Sequence, residues 1–326
     1  MNILISSVGR RVSLVRLFQK ALRGLDIIGS VYAVDFCSHA PALQVADDGW
    51  TVPRVTEPTY VDRLIEICKE NAVRLVVPTI DTELNILSEA RDRFKIADVS
   101  LLVCSDETND VSSDKRKTEI FFNMHAIPTA RSYELDEALL LPENAYPLLL
   151  KPARGSSSIG VTRVDGRKEL LFFAQYVDDP LIQEFVHGDE YTIDVLVGID
   201  GSVRCAVPRL RMETRAGEVS KSMTVNDPVL VDWAYKVAGV LNGAFGCVTL
   251  QCFRQPNGDV KFIEINPRFG GGFPLSAEAG ADYPRWILKM LLGLGEDSGM
   301  QSSWRNELVM LRYDEEIFVN REDIQV

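Results

Sequence analysis

The sequence predicts a doubly wound α/β fold at its start and an α+β fold over the rest of the chain. In the first hundred residues, short β-branched runs (NILISSV, SVYAVD, RLVVPTI and SLLVCS) alternate with segments of helical period. Such alternation is typical of a parallel sheet with helices on its faces. Later in the chain strands dominate, up to the stretch TLQCFRQPNGDVKFIEIN, which indicates the change to α+β.

Local signals place the individual elements. Helical periodicity predicts helices at residues 12–23 and 60–72. The polar stretch SDETNDVSS, residues 105–113, suits a domain boundary, and Asp114 is expected to cap the helix that follows. Further helices are predicted at 229–242 and 275–294, and a last strand at 316–320.

Composition limits the class of protein. The 326 residues are 46% hydrophobic and 25% charged, as in an ordinary soluble globular protein. A net charge of -12 argues against nonspecific binding to nucleic acid or to an anionic membrane. The six cysteines form no CxxC pair and the three histidines have no HxxxH spacing, so we expect neither a disulfide framework nor a zinc site. With no apolar stretch of 18 residues and no signal-peptide pattern, the protein is expected to be cytoplasmic.

The first strand-to-helix turn carries one glycine, Gly9, where a dinucleotide fingerprint has three. Asp35 ends the second strand at a position where a ribose could bind. Gly9 is interpreted as a tight turn, and Arg10 or Arg11 as either solvated or directed at an acidic ligand. A nicotinamide oxidoreductase is a third hypothesis, which predicts binding at Gly9 and Asp35.

The dipeptide Asn257-Gly258 predicts a two-residue hairpin turn between two strand-forming runs. Residues that pair across such a turn have numbers with a constant sum, so Gln251 is expected directly opposite Glu264. Side chains alternate across a strand, which should place Phe262, Glu264 and Asn266 on one face and Ile263 and Ile265 on the other.

Gln251, Glu264 and Asn266 would then bring three oxygen-bearing side chains together. Mg²⁺ prefers oxygen ligands and takes only one or two carboxylates from a protein when phosphates and waters supply the rest. The hairpin therefore indicates a magnesium-nucleotide site. A surface cross-strand pair involving Glu264 is the alternative interpretation of the same residues.

The stretch LLLKPARGSSSIGV, residues 148–161, has the outline of a phosphate clamp. Lys151 ends an apolar strand, where a buried ammonium is costly unless an anion meets it. The glycine- and serine-rich loop that follows can bring backbone N–H groups close to an anion. An exposed hairpin loop with a solvated lysine is the alternative.

Two further stretches suggest ligand contacts. In LIQEFVHGDEYTIDVLV, the backbone of residues 184–186 could bond an adenine edge and Glu190 could accept from ribose hydroxyls. Arg209 and Arg211 share a face if they lie on a strand, which suits a carboxylate, and a solvated charged strand is the alternative. Thr79, Asp81 and Glu83 follow an apparent parallel strand, where open α/β sheets bind ligands, although Asp81 could simply cap the next helix.

These features occur in the order and approximate spacing of the ATP-grasp superfamily. FIEINPRFGGG and VPTIDTELNIL match its pattern, and the first segment resembles its pre-ATP-grasp domain. The chain is most similar to single units of the carbamoyl phosphate synthase large subunit. The resemblance implies a pre-ATP-grasp domain at 1–112, a two-lobed ATP-grasp domain at 113–297 with its smaller lobe at about 125–186, and a carboxy-terminal extension at 298–326.

The resemblance also implies an activity. The protein would be an ATP-dependent ligase that activates a carboxylate as an acyl phosphate for attack by an amine or another nitrogen nucleophile. Its partners would be these small molecules, with a homodimer as an open option. The alternative is a noncatalytic or partner-dependent nucleotide-binding subunit of a carbamoyl-phosphate-synthase-like assembly, since one ATP-grasp unit alone is not expected to make carbamoyl phosphate.

The roles implied for individual residues fall into four groups. ATP phosphates would contact Lys115, Lys151, Ser156, Ser157 and Ser158, while adenine and ribose would contact Glu184, Val186 and Glu190. One or two Mg²⁺ ions, which Mn²⁺ could replace, would bind Gln251, Glu264 and Asn266. Arg268 and Lys151 would be catalytic, and Arg209, Arg211 and Glu83 would contact the substrate.

Overall fold

The amino-terminal part of the protein is a five-stranded parallel sheet. The structure is a computed structural model that describes residues 1–155, 159–301 and 303–324. The sheet order is β3-β2-β1-β4-β5. Its strands are β1 (Asn2–Ser6), β2 (Val31–Asp35), β3 (Asp48–Thr51), β4 (Val73–Pro78) and β5 (Ser100–Leu101), and its helices are α1 (Val12–Gly24), α2 (Tyr60–Glu70), α3 (Asp81–Glu89) and α4 (Arg91–Ile96).

Side-chain alternation along β1 explains why both faces of this sheet are covered. Ile3 and Ile5 pack in one core with Phe18 of α1, whereas Leu4 packs in a second core with Leu64 of α2. The predicted doubly wound α/β fold is confirmed. The sequence missed β3, because the strand has only four residues and two of them, Asp48 and Gly49, are of types depleted in strands.

The polar stretch at residues 105–113, which suits a domain boundary in the sequence, forms a helix in the structure. α5 (Asp106–Ser113) begins at Ser105, whose hydroxyl accepts from the Thr108 N–H. Asn109 is buried and donates to the carbonyl of Cys104. Polar residues stabilise this helix because Ser105 caps its first turn and Asn109 bonds to the backbone just before it. The next helix, α6 (Lys115–Met124), is capped by Asp114 as predicted.

A small four-stranded antiparallel sheet follows, in the order β6-β9-β7-β8. It has its own core, which includes Leu148, Leu150 and Ile182. Lys151 comes directly after this apolar run. The elements are β6 (Ser132–Tyr133), α7 (Leu135–Leu140), β7 (Leu148–Pro152), β8 (Thr162–Val164), α8 (Arg167–Phe173) and β9 (Pro180–Glu184).

The last part is a six-stranded antiparallel sheet in the order β14-β13-β10-β11-β12-β15. The predicted helix at 275–294 is divided at Gly280, whose φ of 119° lies in the left-handed region. The predicted strand at 316–320 is wrong, because the strand that joins the sheet is β15. The elements are β10 (Asp189–Val197), β11 (Val203–Arg215), β12 (Glu218–Thr224), α9 (Pro228–Gly239), β13 (Gly246–Arg254), β14 (Val260–Asn266), α10 (Phe273–Ala279), α11 (Tyr283–Leu292) and β15 (Val309–Leu311). Across the described ranges, helices long and apolar enough for a bilayer span are absent.

The β13–β14 hairpin places Gln251 opposite Glu264, as predicted, but the turn and the strand register differ from the predicted two-residue turn. Gln255 closes a three-residue loop by pairing with Asp259, and Gly258 adopts a φ of 92°. This loop shifts the register by one residue, and a bulge next to Gln251 shifts it back. Two deviations from the two-residue turn therefore cancel.

The bulge also changes which side chains share a face. Phe262 and Ile265 both pack in the core, whereas Ile263 and Glu264 both line a cleft on the other side of the sheet. The predicted grouping of Phe262 with Glu264 is therefore wrong. A bulge inserts an unpaired residue, so strict alternation fails across it.

The loop geometry gives a stability prediction. Gly258→Ala should lower the free energy of unfolding by about 1 kcal/mol, because a Cβ is disfavoured at a φ of 92°. Gly239→Ala is the matched control, since a Cβ on this helical residue meets nothing within 4 Å. The control should raise stability by about 0.5 kcal/mol. Urea denaturation of both variants measures the difference, and equal effects would contradict the loop geometry.

Candidate functional site

Residues predicted from four separate motifs line one cleft between the four-stranded and six-stranded sheets. Lys151 comes from β7 and Glu184 from β9, while Gln251 and Glu264 come from the hairpin. The same cleft is lined by Lys115, Val186 and Glu190. The fold thus brings together residues that lie up to 149 positions apart, from Lys115 to Glu264.

Lys151 is the buried cation of this cleft, with 5% of its surface exposed. Burial lowers the pKa of its ammonium to about 8, although the Glu264 carboxylate opposes this shift. Its ammonium has no hydrogen-bond acceptor within the part of the chain that the structure describes. Lys115, in contrast, donates to the carbonyl of Gly155 at 2.8 Å. Ser156, Ser157 and Ser158, predicted to contact phosphates, lie outside the described residues.

The segment after β9 offers backbone groups to the cleft. The Glu184 N–H is bonded to the Arg131 carbonyl, and its carboxylate pairs with Lys261 and accepts from the Arg131 N–H. Val186 is buried and lines the cleft, and no backbone bond to it is found among the described residues. The side chain of Glu184 is thus engaged, while backbone groups at the end of this strand stay available.

Glu190 and Arg211, predicted to hold ribose and substrate respectively, form one ion pair of 3.1 Å. Burial raises the pKa of Glu190, and Arg211 opposes that shift. Arg211 also reaches the carbonyl of Gly217 at 3.2 Å. Both residues border ligand-sized spaces, but the charge of Arg211 is largely matched within the protein.

A second space, the inner cavity, adjoins the cleft and has a volume of about 230 Å³. Gln251 and Glu264 line both spaces, so the two are adjacent. Its lining includes Arg11, Asp81, Arg209, Arg211, Glu218, Asn266, Arg268 and the three glycines 270–272. Four arginines therefore face this cavity, together with three carboxylates, which are Asp81, Glu218 and Glu264. This local excess of positive charge occurs in a chain of net charge -12.

The three predicted magnesium ligands lie side by side at the boundary of the two spaces. The Gln251 amide donates to Glu264 at 2.8 Å, and the Asn266 amide oxygen accepts from Arg268 at 3.2 Å. Glu264 is the one carboxylate of this set. One carboxylate with two amide oxygens suits Mg²⁺ when phosphates and waters complete the shell.

Arg209 is held by a buried ion pair, which corrects its predicted role as a free substrate ligand. Its Nε and Nη2 donate to the two carboxylate oxygens of Asp194 at 2.7 and 3.0 Å. Asp194 also accepts from the hydroxyl of Ser276. The remaining nitrogen, Nη1, has no partner among the described residues and lies against Gly272.

Arg268 reaches across from the end of the hairpin to the amino-terminal sheet, where it pairs with Asp81. Although burial opposes it, Asp81 raises the pKa of Arg268, so its cationic form is favoured. Asp81 is the first residue of α3 but does not cap it, because Ile80 precedes the helix and Glu83 accepts from the Ile80 N–H.

Glu83 is buried and fully engaged by neighbouring groups, so its predicted substrate role stays a prediction. The side chain is 0% exposed and accepts from Thr79 N–H and from the hydroxyls of Tyr60 and Ser7. It also accepts from the N–H of Ile80, the residue before α3. A glutamate at the third position of a helix often caps in this way, a signal that the sequence contained.

Asp35 also has a structural role. One of its oxygens accepts from the Gly9 N–H at 2.8 Å and the other from the Cys37 N–H at 2.9 Å. Both oxygens therefore hold the turn at the sheet edge. This geometry removes the support for a nicotinamide ribose at Asp35.

Arg11 is a site residue whose target the sequence left open. It faces the inner cavity, and its nearest carboxylate oxygen, on Glu218, is 3.7 Å away. Burial and the neighbouring cations Arg268 and Arg312 lower the pKa of Arg11 to about 10, while Glu218 opposes the shift.

The glycine run makes room for these arginines. A Cβ on Gly271 would lie 2.6 Å from Arg11 Nη1, and one on Gly272 would lie 2.2 Å from Arg209 Nη1. Neither glycine has a φ in the left-handed region. The glycines are therefore required for space beside two guanidinium groups rather than for backbone conformation.

Three protein families match successive parts of the chain. Residues 3–102 match the PylC-like N-terminal domain, residues 123–215 match the D-Ala D-Ala ligase C-terminus, and residues 177–314 match the family described as ATP-grasp in the biosynthetic pathway with Ter operon. The last two together cover the cleft and most of the inner cavity.

Curated relatives agree with these matches. The D-alanine–D-alanine ligase of Pseudomonas entomophila is 26% identical over 204 residues, which is 56% of this chain and 64% of that protein. The enzyme of the same name from Haemophilus ducreyi is 26% identical over 266 residues, 71% of this chain and 84% of its own length. The match thus spans somewhat less than two thirds of the Pseudomonas relative.

Solved structures share the fold. The biotin carboxylase domain of 2-oxoglutarate carboxylase from Hydrogenobacter thermophilus, solved with MgADP and bicarbonate, has a TM-score of 0.73 at 17% identity and covers 94% of this chain and 73% of that one. N5-carboxyaminoimidazole ribonucleotide synthetase from Thermus thermophilus has a TM-score of 0.69 at 20% identity and covers 92% and 80%. The family matches at residues 123–215 and 177–314 show that the chain contains an ATP-grasp domain, and the solved structures share its fold.

Proposed function

We propose that the protein is an ATP-dependent ligase that joins a carboxylate to an amine or another nitrogen nucleophile and releases ADP and phosphate. The observation that carries the proposal is that the cleft and the inner cavity adjoin at Gln251 and Glu264, which line both spaces. A phosphate chain held at Lys151 would end where the arginine-lined cavity begins. Phosphoryl transfer depends mainly on such positioning and on charge neutralisation.

In this proposal the cleft binds ATP. The unpaired ammonium of Lys151, together with Lys115, would meet the phosphates, since a buried cation is stabilised by an anion. The backbone of Glu184 and Val186 would bond the adenine, and Glu190 would face the ribose. Ser156, Ser157 and Ser158 keep their proposed phosphate role.

Glu264, with the amide oxygens of Gln251 and Asn266, would hold Mg²⁺ as one or two ions, with Mn²⁺ as a substitute. The bound metal would neutralise phosphate charge as a Lewis acid. The Gln251 amide would have to turn its oxygen toward the metal, while the Glu264 contact at 2.8 Å shows that the two side chains already lie together.

The inner cavity would bind the carboxylate that is activated. This carboxylate attacks the γ-phosphate, which forms an acyl phosphate and ADP, and the nitrogen nucleophile then displaces phosphate. Arg268, kept cationic by Asp81, would stabilise the negative charge that develops on the acyl oxygen. Arg209, fixed by Asp194, would keep the wall of the cavity positive.

The proposal extends to the surroundings of the enzyme. We propose small-molecule substrates, a cytoplasmic location and a homodimeric assembly, the last supported by the dimer described for the related biotin carboxylase domain. The domain limits at 112 and 297, and the specific likeness to carbamoyl phosphate synthase, remain predictions.

Trapping with hydroxylamine tests the activity without knowledge of the natural nucleophile. The purified protein is incubated with MgATP, hydroxylamine and a panel of carboxylic acids, and hydroxamate and phosphate are measured. We expect equal amounts of hydroxamate and phosphate with at least one acid. Nucleotide binding without either product would favour the alternative, a nucleotide-binding subunit that does not turn over by itself.

Glu264→Gln tests the metal site. Loss of the one carboxylate in the set should raise the barrier by about 3 kcal/mol, or roughly 100-fold in turnover. Stability should change by less than about 1 kcal/mol, the scale of a cross-strand pair. Glu89→Gln, on the exposed face of α3, is the control and should keep wild-type turnover. Near wild-type turnover of Glu264→Gln at saturating Mg²⁺ would reject the metal assignment.

The lowered pKa of Lys151 predicts a pH dependence of nucleotide affinity. In the free protein its ammonium loses its proton above about pH 8, so phosphate binding must then take up a proton. The Kd of a nonhydrolysable ATP analogue should be flat below pH 8 and rise up to about tenfold per pH unit above it. Lys151→Arg stays charged and should show a flat profile from pH 7 to 10. The same rise in both proteins would show that another group is responsible.

A further inference from the structure

A third space, the outer cavity, opens behind the inner cavity and has a volume of about 760 Å³. It lies between α1, the β11–β12 hairpin, α10 and the carboxy-terminal segment of residues 308–317. Glu218 and Val219 line both the inner and the outer cavity. The inner cavity therefore adjoins the cleft on one side and the outer cavity on the other.

The boundary of the inner cavity with the cleft and its boundary with the outer cavity lie far apart across the six-stranded sheet. The cleft joins it at Glu264 on β14, and the outer cavity joins it at Glu218 on β12. In the order β14-β13-β10-β11-β12, these strands are four spacings apart, or about 19 Å. A nucleophile in the outer cavity would thus reach an acyl group from the side away from ATP.

The junction of the inner and outer cavities carries excess positive charge. Arg10, Arg11 and Arg312 surround the carboxylate of Glu218, and only Arg312 bonds it closely, at 3.1 Å. Asp314 also interacts with Arg10 and Arg312, but both of its oxygens are bonded to Arg215. The nearest Glu218 oxygens are 3.9 Å from Arg10 and 3.7 Å from Arg11, beyond hydrogen-bond distance. In the described ranges, neither of these two guanidinium groups has a hydrogen-bond acceptor.

Arg11 is largely buried at this junction. Its side chain is 18% exposed and its Nη1 lies beside Gly271. Arg10, its neighbour in the chain, is 70% exposed on the outer side. An arginine in this setting presents a planar fork of donors that matches a carboxylate.

We propose that the junction is a carboxylate subsite of the nucleophile, which would be an amine with an adjacent carboxylate, as in a free amino acid. This rests on the proposed ligase function. The carboxylate binds Arg11 and Arg10, the amine extends into the small inner cavity, and the rest of the molecule lies in the outer cavity. Apolar side chains there, such as Leu275, Met310 and Leu311, allow a substantial side chain.

Binding to a fixed panel tests the subsite. The panel contains the standard amino acids in both configurations and their α-amides, which keep the amine and lose the carboxylate charge. Binding to the wild-type protein with MgADP is measured by NMR or calorimetry. At least one amino acid should bind at least tenfold more tightly than its amide. Absence of amino acid binding, or equal binding of the amide, would overturn the proposal.

Variants locate the subsite. Arg11→Lys, which loses the bidentate fork, should weaken binding of that amino acid at least tenfold, whereas Arg63→Lys on α2 is the matched control and should leave it unchanged. Arg10→Gln changes an exposed side chain and should weaken binding of the same amino acid about threefold. This variant provides a second test of the subsite if Arg11→Lys does not fold. Unchanged binding in a folded Arg11→Lys protein would overturn the proposal.

The hydroxylamine reaction of the wild-type protein separates the two proposals, because hydroxylamine has no carboxylate. Hydroxamate formation without amino acid binding would reject the subsite and leave the ligase function. Amino acid binding as described, without hydroxamate from any acid, would keep the carboxylate-binding site but reject the ligase function, and with it the role of the bound amine as a nucleophile.

Discussion

The buried ion pair between Asp194 and Arg209 is the interaction on which the inner cavity depends. Asp194 on β10 binds Arg209 on β11 through two hydrogen bonds, accepts from Ser276 on α10, and through its carbonyl accepts from Tyr283 on α11. It thus ties the middle of the six-stranded sheet to the helices that follow the glycine run. Loss of one partner from such a pair costs about 3–5 kcal/mol, because the other charge stays buried without compensation.

The same pair explains the glycines beside it. The Nε and Nη2 of Arg209 are both bonded to Asp194, which fixes the guanidinium group. Its third nitrogen, Nη1, lies so close to Gly272 that a side chain at that position would clash with it. The same holds for Gly271 and Arg11, which comes from the amino-terminal sheet. The cavity wall is therefore built by two distant parts of the chain, and each glycine accommodates one guanidinium group.

Local charge, rather than net charge, determines what this protein can bind. The chain carries a net charge of -12, yet its cleft contains the buried ammonium of Lys151 and its inner cavity four arginines. Several of these cations are only partly neutralised within the described residues. Because a buried cation is costly without an anion, these positions favour phosphate and carboxylate ligands.

The sequence by itself determined the two fold classes, the hairpin and the residues of the cleft, because periodicity, turn signals and the FIEINPRFGGG motif are local. Tertiary structure decided the rest. The bulge that puts Ile263 beside Glu264, the burial of Glu83, the pairing of Arg209 with Asp194 and the approach of Arg11 to Gly271 all depend on contacts between residues distant in the chain. A charged side chain has the same local pattern whether it meets solvent, a ligand or a buried partner, and only packing of the complete fold selects among these.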